Sequence, residues 1–174
     1  MKKGRILYLT IIIFTNLFAN KSYCQNFDYK ENSVYIYNFI KYTNWSQKKS
    51  NLQIGIIGNT PVEDELKALI AKKKNSSINY NIKHISILES KECDVVIIAK
   101  SASDELKKVD KLTSNLPVLI ITEKQNMSHL GACISFFIDE DKDYKTEYQL
   151  SIRNCRLRGL VLSEQILNNA VLIR

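Results

Sequence analysis

Hydrophobic and polar residues alternate along this chain in blocks that change period. From Tyr29 to Tyr42 the apolar positions recur at helical spacing, with Tyr35, Phe39 and Tyr42 on one stripe and Val34, Tyr37 and Ile40 on the next. Only a narrow polar stripe of Glu31, Asn38 and Lys41 remains. A helix so apolar around its circumference has two faces to bury. One can cover a sheet; the other needs more of the domain or another molecule. Leu52 to Ile57, Asp94 to Ala99 and Pro117 to Thr122 are short continuous Val/Ile/Leu runs, the pattern of strands buried on both sides. Helical patterns separate them. Thr60-Pro61-Val62-Glu63 opens one such helix, with a Thr60/Glu63 capping box and Pro61 at the first helical position. Its buried side is Leu66, Leu69 and Ile70, and Lys72-Lys73-Lys74 complement the dipole at its end. Ser101 or Ser103 can cap the helix that runs to about Leu112.

Three further strands complete the pattern. Ile78 to Ile87 alternates, with Ile78, Tyr80, Ile82 and His84 on one side; Ala132 to Ile138 is apolar. After the polar turn 139–143, Tyr144 to Ile152 alternates and is expected to pair back antiparallel. A last helix is expected from about Arg153 to Asn168, with Leu157, Leu160, Val161, Ile166 and Leu167 as its apolar side. The expected fold class is α/β: a mostly parallel sheet with helices on both faces and an antiparallel edge strand.

The first residues follow another logic. Met1-Lys2-Lys3-Gly4-Arg5 is basic, Ile6 to Phe18 is largely apolar, and Ser22-Tyr23-Cys24 precedes Gln25 as a candidate cleavage site. That order is a secretory leader. The apolar run is shorter than the roughly 20 residues a membrane span needs. An uncleaved anchor and lipid attachment at Cys24 are the alternatives. The domain division is therefore a signal peptide at 1–24 and one domain at 25–174, exported from the cytoplasm. Four of the 25 Lys+Arg lie in the leader, which has no acidic residue. The remaining 21 against 18 Asp+Glu leave a charge of only +3, little reason to expect nucleic acid. Without Cys24, the cysteines Cys93, Cys133 and Cys155 remain. Export permits one disulfide, whose pairing the sequence does not give.

Candidate chemistry is sparse. Gly55-x-x-Gly58 lacks the third glycine of a dinucleotide fingerprint, and no phosphate-loop Lys-Ser/Thr follows. There is no nucleophile elbow. The two histidines, His84 and His129, have no second ligand at metal spacing. The expectation is no catalytic residue, no metal and no cofactor.

Specific segments do point somewhere. Tyr37-Asn38-Phe39-Ile40-Lys41-Tyr42-Thr43-Asn44-Trp45 resembles the Tyr-Asn-Phe-x-Lys-aromatic-x-x-Trp segment of the YfiR family. The likeness continues at Ile54 to Pro61, Cys93 to Ile98, Pro117 to Ile120, Gly131 to Phe136 and Gly159 to Leu167, covering roughly 29–171 in order. Ser46 stands where the family has Pro, Ala132 replaces a second glycine, and Tyr148 to Ser151 departs from a Phe-Glu-Ile-Asn-like stretch. The resemblance implies a non-catalytic periplasmic regulator that represses an inner-membrane signalling protein, such as a diguanylate cyclase or a sensor kinase, through its extracytoplasmic domain. It also implies a homodimer. Tyr35, Phe39, Tyr42 and Trp45 are the candidate partner-binding residues, although the same aromatics can simply cover the sheet. A second reading is a periplasmic small-molecule-binding domain, with its ligand at the strand ends: Gly58-Asn59-Thr60, Lys100-Ser101 and Thr122-Glu123.

Overall fold

The computed structural model describes residues 27–45, 49–73, 78–142 and 144–173. The leader expected at 1–24 lies outside these. The first helix, α1 (Tyr29–Lys41), is capped by Asp28, whose carboxylate accepts from the Lys30 and Glu31 N–H groups at 3.0 Å each. A two-residue strand, β1 (Thr43–Asn44), follows. The main sheet then begins with β2 (Asn51–Ile57), α2 (Val62–Lys72) and β3 (Asn79–His84). It continues with β4 (Val95–Ile98), α3 (Leu106–Thr113), β5 (Leu119–Thr122), β6 (Ile134–Asp139) and β7 (Lys145–Ser151).

The strand order is β3-β2-β4-β5-β6-β7, with one further strand outside β7. β3 through β6 pair in parallel, and β7 pairs antiparallel to β6 from Ile134↔Leu150 to Asp139↔Lys145. This is the expected mostly parallel α/β sheet. Helices cover both faces because every central strand is apolar on both. Val95, Ile97, Leu119 and Ile121 enter the core under α1 and α2, while Val96, Ile98, Val118 and Ile120 enter the core under α3.

The C-terminal segment departs from the single helix the periodicity suggests. It forms α4 (Ile152–Leu157), β8 (Val161–Leu162), α5 (Glu164–Leu167) and β9 (Val171–Ile173). The cause is Gly159, at φ +69°. Its N–H donates to Arg156 O and the Leu160 N–H donates to Cys155 O, at 3.0 and 2.9 Å. These are the two bonds of a Schellman termination, and glycine adopts the left-handed conformation they need. β9 pairs parallel to β7, from Gln149↔Val171 to Ser151↔Ile173, so β9 rather than the antiparallel β7 ends the sheet.

The capping box expected at α2 also resolves differently. Thr60 Oγ1 accepts from the Val62 N–H at 3.2 Å, but Glu63 pairs with Lys67 and His84 instead of reaching back. A capping box does form at Ser86 and Glu89, ahead of the 3-10 turn Ile87–Glu92.

Candidate functional site

The aromatic stripe of α1 has two fates. Phe39 is 1% exposed and lies inside the core. Its ring meets Tyr148 edge-on at 4.7 Å and Phe136 at 5.9 Å, and Tyr35 joins them 5.4 Å from Tyr148. Edge and offset contacts of this kind add to plain burial. Phe39 therefore presents no surface to a partner; it props up the side chains around it. The Tyr148 hydroxyl donates to Ile166 O at 2.8 Å. Burial, with the neighbouring Tyr35, pushes its pKa up to about 12.

Tyr35, Tyr42 and Trp45 are half-buried, each packed against the core along one side. Their position is set by an interaction distant in sequence. β1 pairs antiparallel with β8, Thr43 opposite Leu162 and Asn44 opposite Val161. Ser163 N–H adds a 3.1 Å bond to Tyr42 O, and the Thr43 hydroxyl donates to Phe39 O at 2.5 Å. The Tyr42–Trp45 segment is thus fastened beside the C-terminal segment, and Val161, opposite Asn44, is 60% exposed. Two of the stretches that resemble the family, Tyr37–Trp45 and Gly159–Leu167, are neighbours in the fold.

The C-terminal surface carries apolar side chains that periodicity alone assigned to a helix's buried stripe. Leu157 and Val161 face outward, while Leu160 and Ile166 are buried. The sequence signal was Gly159, which interrupts the stripe.

At the strand ends named for the alternative site, Glu123 is turned inward to its neighbours while Asn59 and Lys100 are exposed. Glu123 is 3% exposed, accepts from the Thr60 hydroxyl, and accepts from the Lys100 N–H at 3.1 Å. Burial raises its pKa, an effect that the bonds from Thr60 and Lys100 partly offset. At Gly58, φ +87°, an added Cβ would come within 2.7 Å of Ala102 Cβ and 3.0 Å of Ala99 Cβ. The loops after β2 and β4 are in contact at the position where doubly wound sheets hold ligands.

The described cysteines Cys93, Cys133 and Cys155 are free and buried. The Cys133 thiol beside it, together with burial, pushes the Cys155 pKa up. Among the described residues no cluster of three or more His, Cys, Asp or Glu forms a metal centre.

Comparison with known proteins adds the rest. One solved structure, a conserved domain protein from Vibrio cholerae O1 biovar El Tor, superposes with a TM-score of 0.56 at 12% identity over 84% of this chain. This chain spans 60% of that one, and the likeness concerns the fold alone. No curated protein matches the sequence. A family model does, over residues 29–171, which contain both the aromatic segment and the C-terminal segment paired to it. The chain belongs to the YfiR/HmsC-like family.

Proposed function

We propose that this protein is a non-catalytic periplasmic regulator. It binds the extracytoplasmic domain of an inner-membrane signalling protein, such as a diguanylate cyclase or a sensor kinase, and holds it inactive. Family membership over 29–171 is the observation that carries this reading. Export by the 1–24 leader brings the chain to the right compartment, and among the described residues no helix is long and apolar enough to cross a membrane. The contact surface includes Tyr35, Tyr42 and Trp45, with Phe39 as their buried support, and the protein works as a homodimer.

Repression needs only a preference for the inactive partner. Moving that partner from almost fully active to almost fully inactive takes a roughly 10⁴-fold difference in affinity between its two states. Deleting the gene in its host should raise cyclic di-GMP or the kinase output, and the full-length chain should restore it. A chain lacking residues 1–24 should not. Unchanged output after deletion would refute the reading. Surface and core roles separate by substitution: Tyr42→Ala and Trp45→Ala should weaken association with little change in melting temperature. Phe39→Ala should instead cost about 3–5 kcal/mol of stability. If Tyr42→Ala or Trp45→Ala lowers the melting temperature steeply while the remaining folded protein still associates, those rings belong to the core.

A further inference from the structure

The two edges of the main sheet are built differently. β3, at one end, exposes Asn79, Asn81 and His84, and Lys83 reaches toward Glu89 at 3.6 Å. Polar and charged side chains of this kind keep an edge from pairing with another chain. β9, at the other end, is Val171-Leu172-Ile173, with Val171 41% and Leu172 46% exposed. Its only strand partner among the described residues is β7, on its inner side.

Beside this edge runs a groove of about 470 Å³, lined by Ile152, Arg153, Arg156, Leu157 and Ile173. A smaller hollow of about 110 Å³ shares Ile152 and Arg156 and continues past Leu160 to Val161 and Leu162. The groove is thus lined by three apolar side chains and two arginines. Arg153 and Arg156 are exposed. Neither guanidinium makes an ion pair or hydrogen bond among the described residues, whereas Arg158 is buried against Asp110 and Thr113.

We propose that the free edge of β9 and this groove dock a short extended segment of the signalling partner, one whose groove-facing positions carry both apolar and acidic side chains. Backbone pairing to β9 supplies the attachment, as in strand addition. The apolar side chains fill the groove, and the carboxylates meet Arg153 and Arg156. A second copy of this chain fits less well. Two copies joined at β9 bring like-charged arginines together, which is unfavourable. Leu157, Val161 and Val171, exposed by 68%, 60% and 41%, offer surface on the order of 300 Å², well short of the ~800 Å² each partner contributes to a stable interface. A segment of a few residues matches that area.

This inference rests on the partner-binding reading and adds a second contact surface to the aromatic one. The test uses the mature chain and two synthetic ten-residue peptides with Ser on the outward positions, their groove-facing positions taking Val and Glu in turn in one and Val and Lys in turn in the other. Binding is followed by fluorescence anisotropy and by amide shifts at 171–173. The Glu peptide should bind and shift those amides, and the Lys peptide should bind about tenfold more weakly or worse. The doubly reversed chain, Arg153→Glu with Arg156→Glu, should invert that preference at an unchanged melting temperature. Methylating the backbone nitrogens of the Glu peptide should abolish binding. Equal affinity for both peptides, no shift at 171–173, or a β9-mediated dimer in sedimentation would overturn the proposal. The same reversed chain also separates the two levels of inference. If it still restores repression in the deleted host, the docking surface is wrong and the regulator reading stands. If deletion itself changes no output, the regulator reading fails first.

Discussion

Glu123 shows how one residue at a strand end is used by the fold itself. It ends β5 with its carboxylate turned inward to the Thr60 hydroxyl and the Lys100 N–H. Burial raises its folded pKa above the ordinary carboxylate value. A raised folded pKa means the native state holds its proton where the unfolded chain has released it. Stability from this group is therefore full below the unfolded pKa and is lost as pH rises through the folded one. Glu123→Gln keeps an acceptor and removes the titration. The stability of the variant relative to the wild type should accordingly increase between pH 4 and pH 7 in urea unfolding. A constant difference would show that Glu123 does not titrate in this range. At the same scale, Phe39 and Trp45 were indistinguishable as members of one aromatic run. Helical spacing placed Phe39 and Tyr42 on one stripe, but only the sheet beneath buries one of them and leaves the other half open.

Among the elements, the central strands and α1 lay closest to what the pattern requires. Their apolar runs leave few alternatives: a strand apolar on both faces must be covered on both. The C-terminal segment was less legible. Leu157, Leu160, Val161, Ile166 and Leu167 fit a helical stripe, and a single glycine is tolerated inside helices at about 1 kcal/mol. Gly159 ends α4 instead, because Leu160 N–H closes back on Cys155 O and releases the chain to form β8. No heavy atom lies within 4 Å of a Cβ built at Gly159, so a substitution there meets backbone strain rather than a clash. Gly159→Ala should cost about 1–2 kcal/mol in denaturant unfolding. Gly159→Asn should cost less, because Asn tolerates the left-handed region. Equal stability of all three would mean that the turn does not depend on this conformation.

At the scale of the whole molecule, a buried charge links the C-terminal segment to the rest. Arg158 is buried and donates to Asp110 Oδ1 at 2.6 Å, to Thr113 O at 2.8 Å and to Thr113 Oγ1 at 3.0 Å. Asp110 itself is reached by water. Removing Asp110 strands a buried guanidinium, whereas removing Arg158 leaves a carboxylate that solvent can satisfy. Asp110→Ala should cost about 2–3 kcal/mol, and Arg158→Met clearly less. Comparing the two melting curves checks the order; the reverse order would place the demand on Asp110. The same link holds α4 against α3, so the surface around Leu157 and Val161 depends on it.

The sequence by itself determined the α/β class, the presence of the first six main-sheet strands along the chain and the aromatic character of α1. Each follows from local periodicity and from the need to bury what is apolar. It also carried the family likeness, because the Tyr37–Trp45 segment is specific in residue type as well as in spacing. The tertiary structure alone decided that Thr43–Asn44 pairs with Val161–Leu162, that Glu123 turns inward to Thr60 and Lys100, and that β9 rather than β7 ends the sheet. These depend on contacts between residues from about 60 to more than 100 positions apart in the Thr60–Glu123 and β1–β8 cases, or on the φ of one glycine. Neither leaves a periodic trace along the chain. Periodicity reports which side chains must be covered; the three-dimensional fold decides what covers them.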